Sequence, residues 1–516
     1  MSRSVPGSER SAAPDGFIRR NADDARLLHE VHPPDWVNPT PKGRYHLVVV
    51  GAGTGGLVTA AAAAGLGARV ALVERHLMGG DCLNVGCVPS KAIIRAARAW
   101  SDARTGDKRF GAPAYADDGD FAFVMDRMRR LRAQLSPIDG AARFTALGVD
   151  VFLGQARFVD GDAVEVDGQR LAFRKAVIAT GARPAVPDIP GMQHFAYHTN
   201  ETIFGLTSRP GHLAVVGAGP IGCELAQAFA RLGTTVTLVD RGSRVLPREV
   251  ADASAVVDQR LLKDGVRVWH TAEVQRVEGK GSGGTLHVRH AAQDKSIECD
   301  ALLVATGRVP NVDGLGLEAA GVRAHDEHGV TVDDRLRTTN RRIYAVGDVC
   351  SALKFTHSAD FQARLVVRNA LFFGRGRASD LITPRVTYTS PEVAQVGLTP
   401  DQAHQDHQDT DLIRVAMHDV DRAVLDGETE GFCEFVLARG TDRILGVTLV
   451  SEHAGEIIGE VALAMTAKLG LGAIGRTMHP YPTQGEVLRK AADAWQRRKL
   501  TPRVRALFLS YFKWLG

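Results

Sequence analysis

Cys82 and Cys87 are separated by four residues in the run Gly79-Gly80-Asp81-Cys82-Leu83-Asn84-Val85-Gly86-Cys87-Val88-Pro89-Ser90-Lys91. Two cysteines in a glycine-containing loop that runs into a helical pattern can close a small disulfide ring, provided the helix start brings their Cα atoms within bridging distance. The helical pattern begins around Ser90-Lys91-Ala92-Ile93, and its N-terminal end favours the thiolate form of Cys87. A structural staple is a poor alternative, because so small a ring removes little unfolded-chain entropy and a chain this long needs none. A zinc site would want Cys-x2-Cys spacing and a second ligand pair. The remaining Cys223, Cys299, Cys350 and Cys433 offer no such pair. The two cysteines read as a redox-active dithiol.

The elements around them are two glycine fingerprints. The apolar run Tyr45-His46-Leu47-Val48-Val49-Val50 leads into Gly51-Ala52-Gly53-Thr54-Gly55-Gly56, and an alanine-rich helical stretch follows through Ala64. Strand, tight turn and helix N-terminus hold a pyrophosphate on backbone N–H groups. Glu74 ends the next strand pattern, close to the ~20-residue offset of a ribose-binding acid. The pattern repeats: Leu213-Ala214-Val215-Val216 precedes Gly217-Ala218-Gly219-Pro220-Ile221-Gly222, and the following strand ends at Asp240. One such fingerprint is a weak signal, whereas two in the right context, each with its acid at the same offset, are strong. Two dinucleotides are expected, FAD at the first site and NADH or NADPH at the second. Asp240 would repel a 2′-phosphate and leans the second site toward NADH, while Arg241 and Arg244 offer a phosphate its partners.

Together with Ala179-Thr180-Gly181, Ala305-Thr306-Gly307-Arg308 and Ala345-Val346-Gly347-Asp348, these motifs resemble the pyridine nucleotide-disulfide oxidoreductases, the family of dihydrolipoamide dehydrogenase, glutathione reductase and mercuric reductase. The resemblance spans residues 45 to 500. It implies an α/β fold of two Rossmann-like dinucleotide-binding domains and a C-terminal α+β dimerisation domain. By that resemblance Cys82 is the interchange thiol that meets substrate, and Cys87 is the charge-transfer thiol against the flavin. Lys91 would lie near flavin N5, paired with Glu224. Asp348 would bind the FAD ribitol, with Thr180 and Gly181 at the first crossover and Gly307 in the later glycine motif.

Departures from the common pattern point to a branch. Disulfide reductases of this family carry a His-Pro-Thr element near the C-terminus with a glutamate shortly after, and that histidine is their acid and base. Here the run is Met478-His479-Pro480-Tyr481-Pro482-Thr483-Gln484-Gly485-Glu486, so Tyr481 stands at the histidine position and His479 two residues early. A tyrosine with an unperturbed pKa of ~10 is a poor general base at neutral pH. Mercuric reductases carry a tyrosine there, followed by a glutamate, which Glu486 matches. They also carry a second active-site tyrosine before the nicotinamide glycines, which Tyr197 resembles; a packing role is the alternative for that residue. Against this, residues 1–44 contain no cysteine and the last cysteine is Cys433, so the thiol pairs that deliver soft Hg²⁺ in such enzymes are missing. His479 is an ordinary loop histidine, an outer metal ligand or a relocated base.

The function expected from this resemblance is an NAD(P)H oxidoreductase that is mercuric-reductase-like. Electrons pass through FAD and the Cys82–Cys87 dithiol to a metal ion, a quinone or a reactive oxidant. The alternatives are a dihydrolipoamide dehydrogenase or glutathione-reductase-like disulfide reductase, and a flavoprotein with a binding or membrane-tethered role.

At 516 residues the chain is long enough for several domains, and its 44% hydrophobic and 24% charged content is that of a globular protein. A net charge of +4 without an aromatic-interleaved basic patch argues against nucleic acid. Six cysteines suit a reducing compartment, and the polar, Ser/Pro/Gly-containing start lacks the apolar core of a signal peptide, so the cytoplasm is expected. The expected organisation is a flexible tail over 1–44, ordering near Pro33-Pro34-Asp35-Trp36, a discontinuous FAD domain over 45–195 and 306–378, a nicotinamide domain over 196–305, and an interface domain over 379–499. Within this scheme Phe355 to Phe373 reads as a helix with Phe361, Leu365, Val366, Ala370 and Phe373 on one face. The interface domain implies a homodimer that completes each active site across its two-fold, with Tyr481 and Glu486 lent by the partner. Residues 500–516 form an amphipathic helix, able to lie on an anionic membrane surface or to pack on the dimer. No stretch of ~20 apolar residues exists to span a bilayer.

Overall fold

The structure is a computed structural model that describes residues 21–113, 119–280 and 283–516. Three sheets organise it. In the first, Tyr45–Val50 lies between Val70–Glu74 and Gln169–Ile178, all parallel, with Val149–Leu153 outside Val70–Glu74. Ile343–Ala345, from far along the chain, pairs with Gln169–Ile178. The intervening residues build a second parallel sheet in the order Arg267–Trp269, Thr235–Val239, His212–Val216, Ala301–Val304. An antiparallel meander of Ala272–Lys280, Gly283–His290 and Gln293–Cys299 packs beside it. The third sheet has five antiparallel strands, Arg385–Thr387, Glu392–Gly397, Ile444–Ser451, Phe432–Ala438 and Thr410–Ala416. The strands Tyr45–Val50 and Val70–Glu74 are buried on both faces, with helices against the sheet, which is why they read as unbroken apolar runs.

Each glycine fingerprint links strand to helix, Thr54–Gly65 in the first sheet and Pro220–Arg231 in the second. Gly51 and Gly217 adopt φ of +100° and +107°, a region that β-carbon-bearing residues avoid.

Two expectations are corrected. Residues 1–20 of the expected tail lie outside the described residues, but order begins well before Pro33. Ala22–Val31 is a helix whose Asn21 cap accepts from the Asp24 N–H at 2.8 Å. It is locked in place by fully buried Leu27 and Val31 and by an Asp24–Arg132 ion pair at 2.8 Å. The helix Thr356–Leu371 buries Leu365 and Val366, but Phe361 is 57% exposed and Phe373 lies beyond its end, 97% exposed. The apolar face is therefore narrower than the periodicity suggests.

Candidate active site

The dithiol loop is built by backbone economy. Gly79 and Gly80 turn with positive φ into a short helix, Gly80–Asn84, that carries Cys82. Gly86 then allows a close return, since a β-carbon there would meet the Asp81 carbonyl oxygen at 2.7 Å. Cys87 is the first residue of the long helix Cys87–Phe110, where the unpaired N–H groups favour an anion. Both thiols are free. The Cys82 thiol donates toward Cys87, and the Thr356 hydroxyl lies 3.3 Å from the Cys87 sulfur. The Cys82 hydrogen bond pulls Cys87 down to about 6, opposed by burial and helped by Thr356 and the Lys91 charge. The same hydrogen bond, with burial, pushes Cys82 far up. The pair therefore divides into a thiolate and the thiol that donates to it.

Lys91 stands one helical turn on. Its ammonium meets Glu224 Oε2 at 2.8 Å and lies 4.4 Å from the centre of the Tyr388 ring. The other oxygen of Glu224 accepts from the Tyr388 backbone N–H at 2.8 Å. Burial works against the Lys91 charge, but the Glu224 carboxylate, together with Cys87 and Tyr388, holds the group above its ordinary value.

The loop opens on a cavity of about 1900 Å³ that runs from Gly51, Gly53 and Glu74 past Cys82, Cys87 and Lys91 to Gly217, Gly219 and Asp240. At its first end a β-carbon on Gly56 would sit 1.8 Å from the Gly51 carbonyl oxygen. Glu74 accepts from the N–H groups of Ala52 at 2.6 Å and His76 at 2.8 Å, and its burial raises its pKa. Thr180, Gly181 and Asp348 line the same end. Burial raises the Asp348 pKa against the pull of Arg308, which pairs with Asp348 at 3.5 Å and also with Asp81. The second end repeats this construction. A β-carbon on Gly222 would fall 1.9 Å from the Gly217 carbonyl oxygen. Asp240 accepts from the N–H groups of Ala218 and Gly242, each at 2.6 Å. Gly307 also lines the cavity. Two cradles that only glycine can form, each closed by an acid, fit two adenine dinucleotides with the dithiol between them. Arg241 faces Glu273 at 3.6 Å and Arg244 donates to the Pro247 carbonyl at 3.0 Å.

Four sequence candidates lie elsewhere. Tyr197 packs on the apolar cluster that holds Met192, Phe195 and Val277 and is not among the residues that line the cavity. Tyr481 is 70% exposed, its hydroxyl donating to Asp421 at 3.0 Å, and Glu486 is buried beside Arg489. Neither lines the cavity of its own chain. His479 is placed between the Glu460 carboxylate, 3.0 Å from Nε2, and the Thr477 carbonyl, 3.0 Å from Nδ1. Sequence reasoning missed Thr356 and Tyr388. Thr356 comes to the Cys87 sulfur and Tyr388 to Lys91, each from far along the chain, and no local pattern marks either.

Comparison with known proteins agrees with this architecture. The family described as pyridine nucleotide-disulphide oxidoreductase matches residues 45–363, and its dimerisation domain matches residues 383–492. The mercuric reductase of Staphylococcus aureus is 35% identical over 450 residues, 87% of this chain and 82% of its own length. The dihydrolipoyl dehydrogenase of Bacillus subtilis (strain 168) is 33% identical over 454 residues, 86% of this chain and 95% of its own length. Among solved structures, the HOCl-induced flavoprotein disulfide reductase RclA of Escherichia coli superposes with a TM-score of 0.77 at 29% identity, covering 87% of this chain and 99% of that one. RclA is also solved as a Cu(II) complex. With its two glycine cradles, its intervening dithiol and its dimerisation domain, the chain belongs to the pyridine nucleotide-disulphide oxidoreductases, enzymes that use FAD and NAD(P)H.

Proposed function

We propose that this FAD-dependent oxidoreductase is mercuric-reductase-like and passes electrons from NAD(P)H to a metal ion or another thiol-reactive acceptor at Cys82 and Cys87. The observation that carries this reading is the split dithiol, a low-pKa Cys87 facing a proton-bearing Cys82, in the one cavity that both cradles share. Thiolates suit soft metal ions. The relatives named mercuric reductases and the Cu(II) complex of RclA support the same class of acceptor. Tyr481, in the place of the family's basic histidine, makes a dithiol substrate less suited.

Bound FAD supplies the two-electron link between the nicotinamide and the dithiol. In the reduced dithiol, Cys87 carries the negative charge, steadied by Thr356 and Lys91. Cys82 keeps its proton until an acceptor binds and then gives it up to become the second thiolate. Glu224 keeps Lys91 in place, and the Tyr388 backbone keeps Glu224 in place. Tyr481 and Glu486 act on the acceptor from the partner subunit of a homodimer.

A second reading, disulfide reduction, draws on His479. Its imidazole faces the Glu460 carboxylate at 3.0 Å, the kind of pair that serves as acid and base. The two readings separate when NADH and NADPH oxidation is followed under low oxygen with Hg²⁺, Cu²⁺, lipoamide, oxidised glutathione and a quinone in turn, beside a Cys82→Ser control. Metal-dependent turnover that the control lacks is expected. Turnover confined to lipoamide or glutathione refutes the metal reading. Unchanged biological activity of a Cys82→Ser/Cys87→Ser double variant would instead favour a binding role.

A further inference from the structure

We infer that the C-terminal segment binds the enzyme to anionic lipid surfaces through the helix Pro502–Leu515. The helix is well formed: Thr501 caps it, its hydroxyl accepting from the Val504 N–H at 3.3 Å. Yet none of its residues is buried, and Leu507, Phe512 and Trp514 are 69%, 62% and 80% exposed. At 100° per residue, Val504, Leu507, Phe508, Tyr511, Phe512 and Leu515 share one sector with Trp514 at its edge. Arg503 and Arg505 flank that sector on opposite sides, and Ser510 and Lys513 lie behind it.

Charge decides the occupant. From Ala494 onward the chain carries Arg497, Arg498, Lys499, Arg503, Arg505 and Lys513 and no aspartate or glutamate. A second copy docking on this face would bring like charges together, whereas an anionic headgroup layer complements them. Arginines flanking an apolar sector reach headgroups while the sector sinks below them. Tryptophan and tyrosine prefer that boundary. Among the described residues no helix is long and apolar enough to cross a membrane, so the helix lies in the surface plane. It also lies beyond the matched dimerisation domain, which ends at residue 492, and the proposal does not depend on which acceptor the enzyme reduces.

The test is co-sedimentation of the full-length holoenzyme with vesicles of phosphatidylcholine alone and with about a third phosphatidylglycerol. Two variants run beside it: a chain ending at Lys499, and Leu507→Ser/Phe508→Ser/Trp514→Ser. Wild type should sediment with the anionic vesicles at least about tenfold more than with neutral ones and should be released by high salt. Both variants should lose binding while oxidising NAD(P)H with any supported acceptor at the wild-type rate, because no residue of the helix is buried and none lines the cavity. Equal sedimentation of the truncated chain overturns the proposal. So does light scattering in which truncation converts a larger oligomer into a dimer, since the face would then join copies of the chain.

Discussion

Replacing Cys82 by alanine should move the titration of Cys87, because the Cys82 hydrogen bond is the largest influence that holds Cys87 at about 6. A hydrogen bond to a charged group is worth about 1.5–3 kcal/mol, and one pKa unit is about 1.4 kcal/mol. Losing the donor should therefore raise Cys87 to roughly 7–8. At pH 7 its thiolate fraction would fall from about nine-tenths to between about a half and a tenth. Cys82→Ser, which keeps a donor, should shift it less. Thr356→Val should also shift it less than Cys82→Ala, since the Thr356 hydroxyl, 3.3 Å from the sulfur, ranks below Cys82. Thiolate absorbance and iodoacetamide alkylation rates against pH, in reduced protein under low oxygen, read these values directly. The sign for stability follows: Cys87 is depressed on folding, so its contribution is present above the unfolded value of about 8.5 and is lost as pH falls through about 6. The stability advantage of reduced wild type over Cys87→Ser should narrow across that interval. A Cys82→Ala protein that titrates within about 0.3 units of wild type would refute the argument.

Lys91→Met leaves the Glu224 carboxylate, whose side chain is 7% exposed, with only the Tyr388 N–H. Breaking a buried pair costs about 3–5 kcal/mol and an exposed one about 0.2–1. With the Lys91 side chain 36% exposed, about 2 kcal/mol is expected, most of it recovered in Lys91→Met/Glu224→Gln; urea unfolding of the set checks this. Gly56→Ala, with its β-carbon 1.8 Å from the Gly51 oxygen, should purify colourless, whereas Gly222→Ala, at 1.9 Å from the Gly217 oxygen, should stay yellow but fail to bind NAD(P)H. Flavin absorbance and nicotinamide titration separate the two. Mixing refolded Cys82→Ser and Tyr481→Phe chains should restore about a quarter of wild-type turnover if Tyr481 acts across the two-fold, since half the dimers are mixed and each has one intact site. Restoration of none would place Tyr481 in the active site of its own chain, and full turnover by Tyr481→Phe alone would place it outside the chemistry.

The glycine cradles were legible because each imposes a local demand: Gly51 needs positive φ and Gly56 needs contact with Gly51, and no other residue meets either. The dithiol was legible because its spacing and the helix start at Cys87 are also local. The helix Ala22–Val31 was not, because its polar sequence is held by Arg132, more than a hundred residues away. Its cap was nonetheless visible in Asn21 with Asp23 and Asp24 in the first turn. Thr356 escaped notice because it reaches Cys87 from 269 residues along the chain, and Tyr388 because its role exists only once Lys91, Glu224 and the edge of the five-stranded sheet have met.

That meeting explains why Lys91 differs from an ordinary helix lysine. Lys91 shares its helix with Cys87, and Glu224 lies on the helix that begins at the nicotinamide cradle. Tyr388 follows the edge strand Arg385–Thr387 of the five-stranded sheet. Glu224 and Gln227, three residues apart on one helix face, both grip this edge. Gln227 exchanges two 2.8 Å hydrogen bonds with Ser390, and Arg385 pairs with Glu249 at 2.9 Å. The positive charge near Cys87 thus depends on the registration of all three units. Lys91 is raised on folding, so its contribution is complete below its unfolded value of about 10.4 and is lost only as pH rises through the higher folded one. Cys87, at about 6, therefore titrates against a constant Lys91 charge. A pH dependence of the half-reaction near 6 would report the dithiol itself, and Lys91→Met should displace that transition upward while leaving its single-proton shape intact.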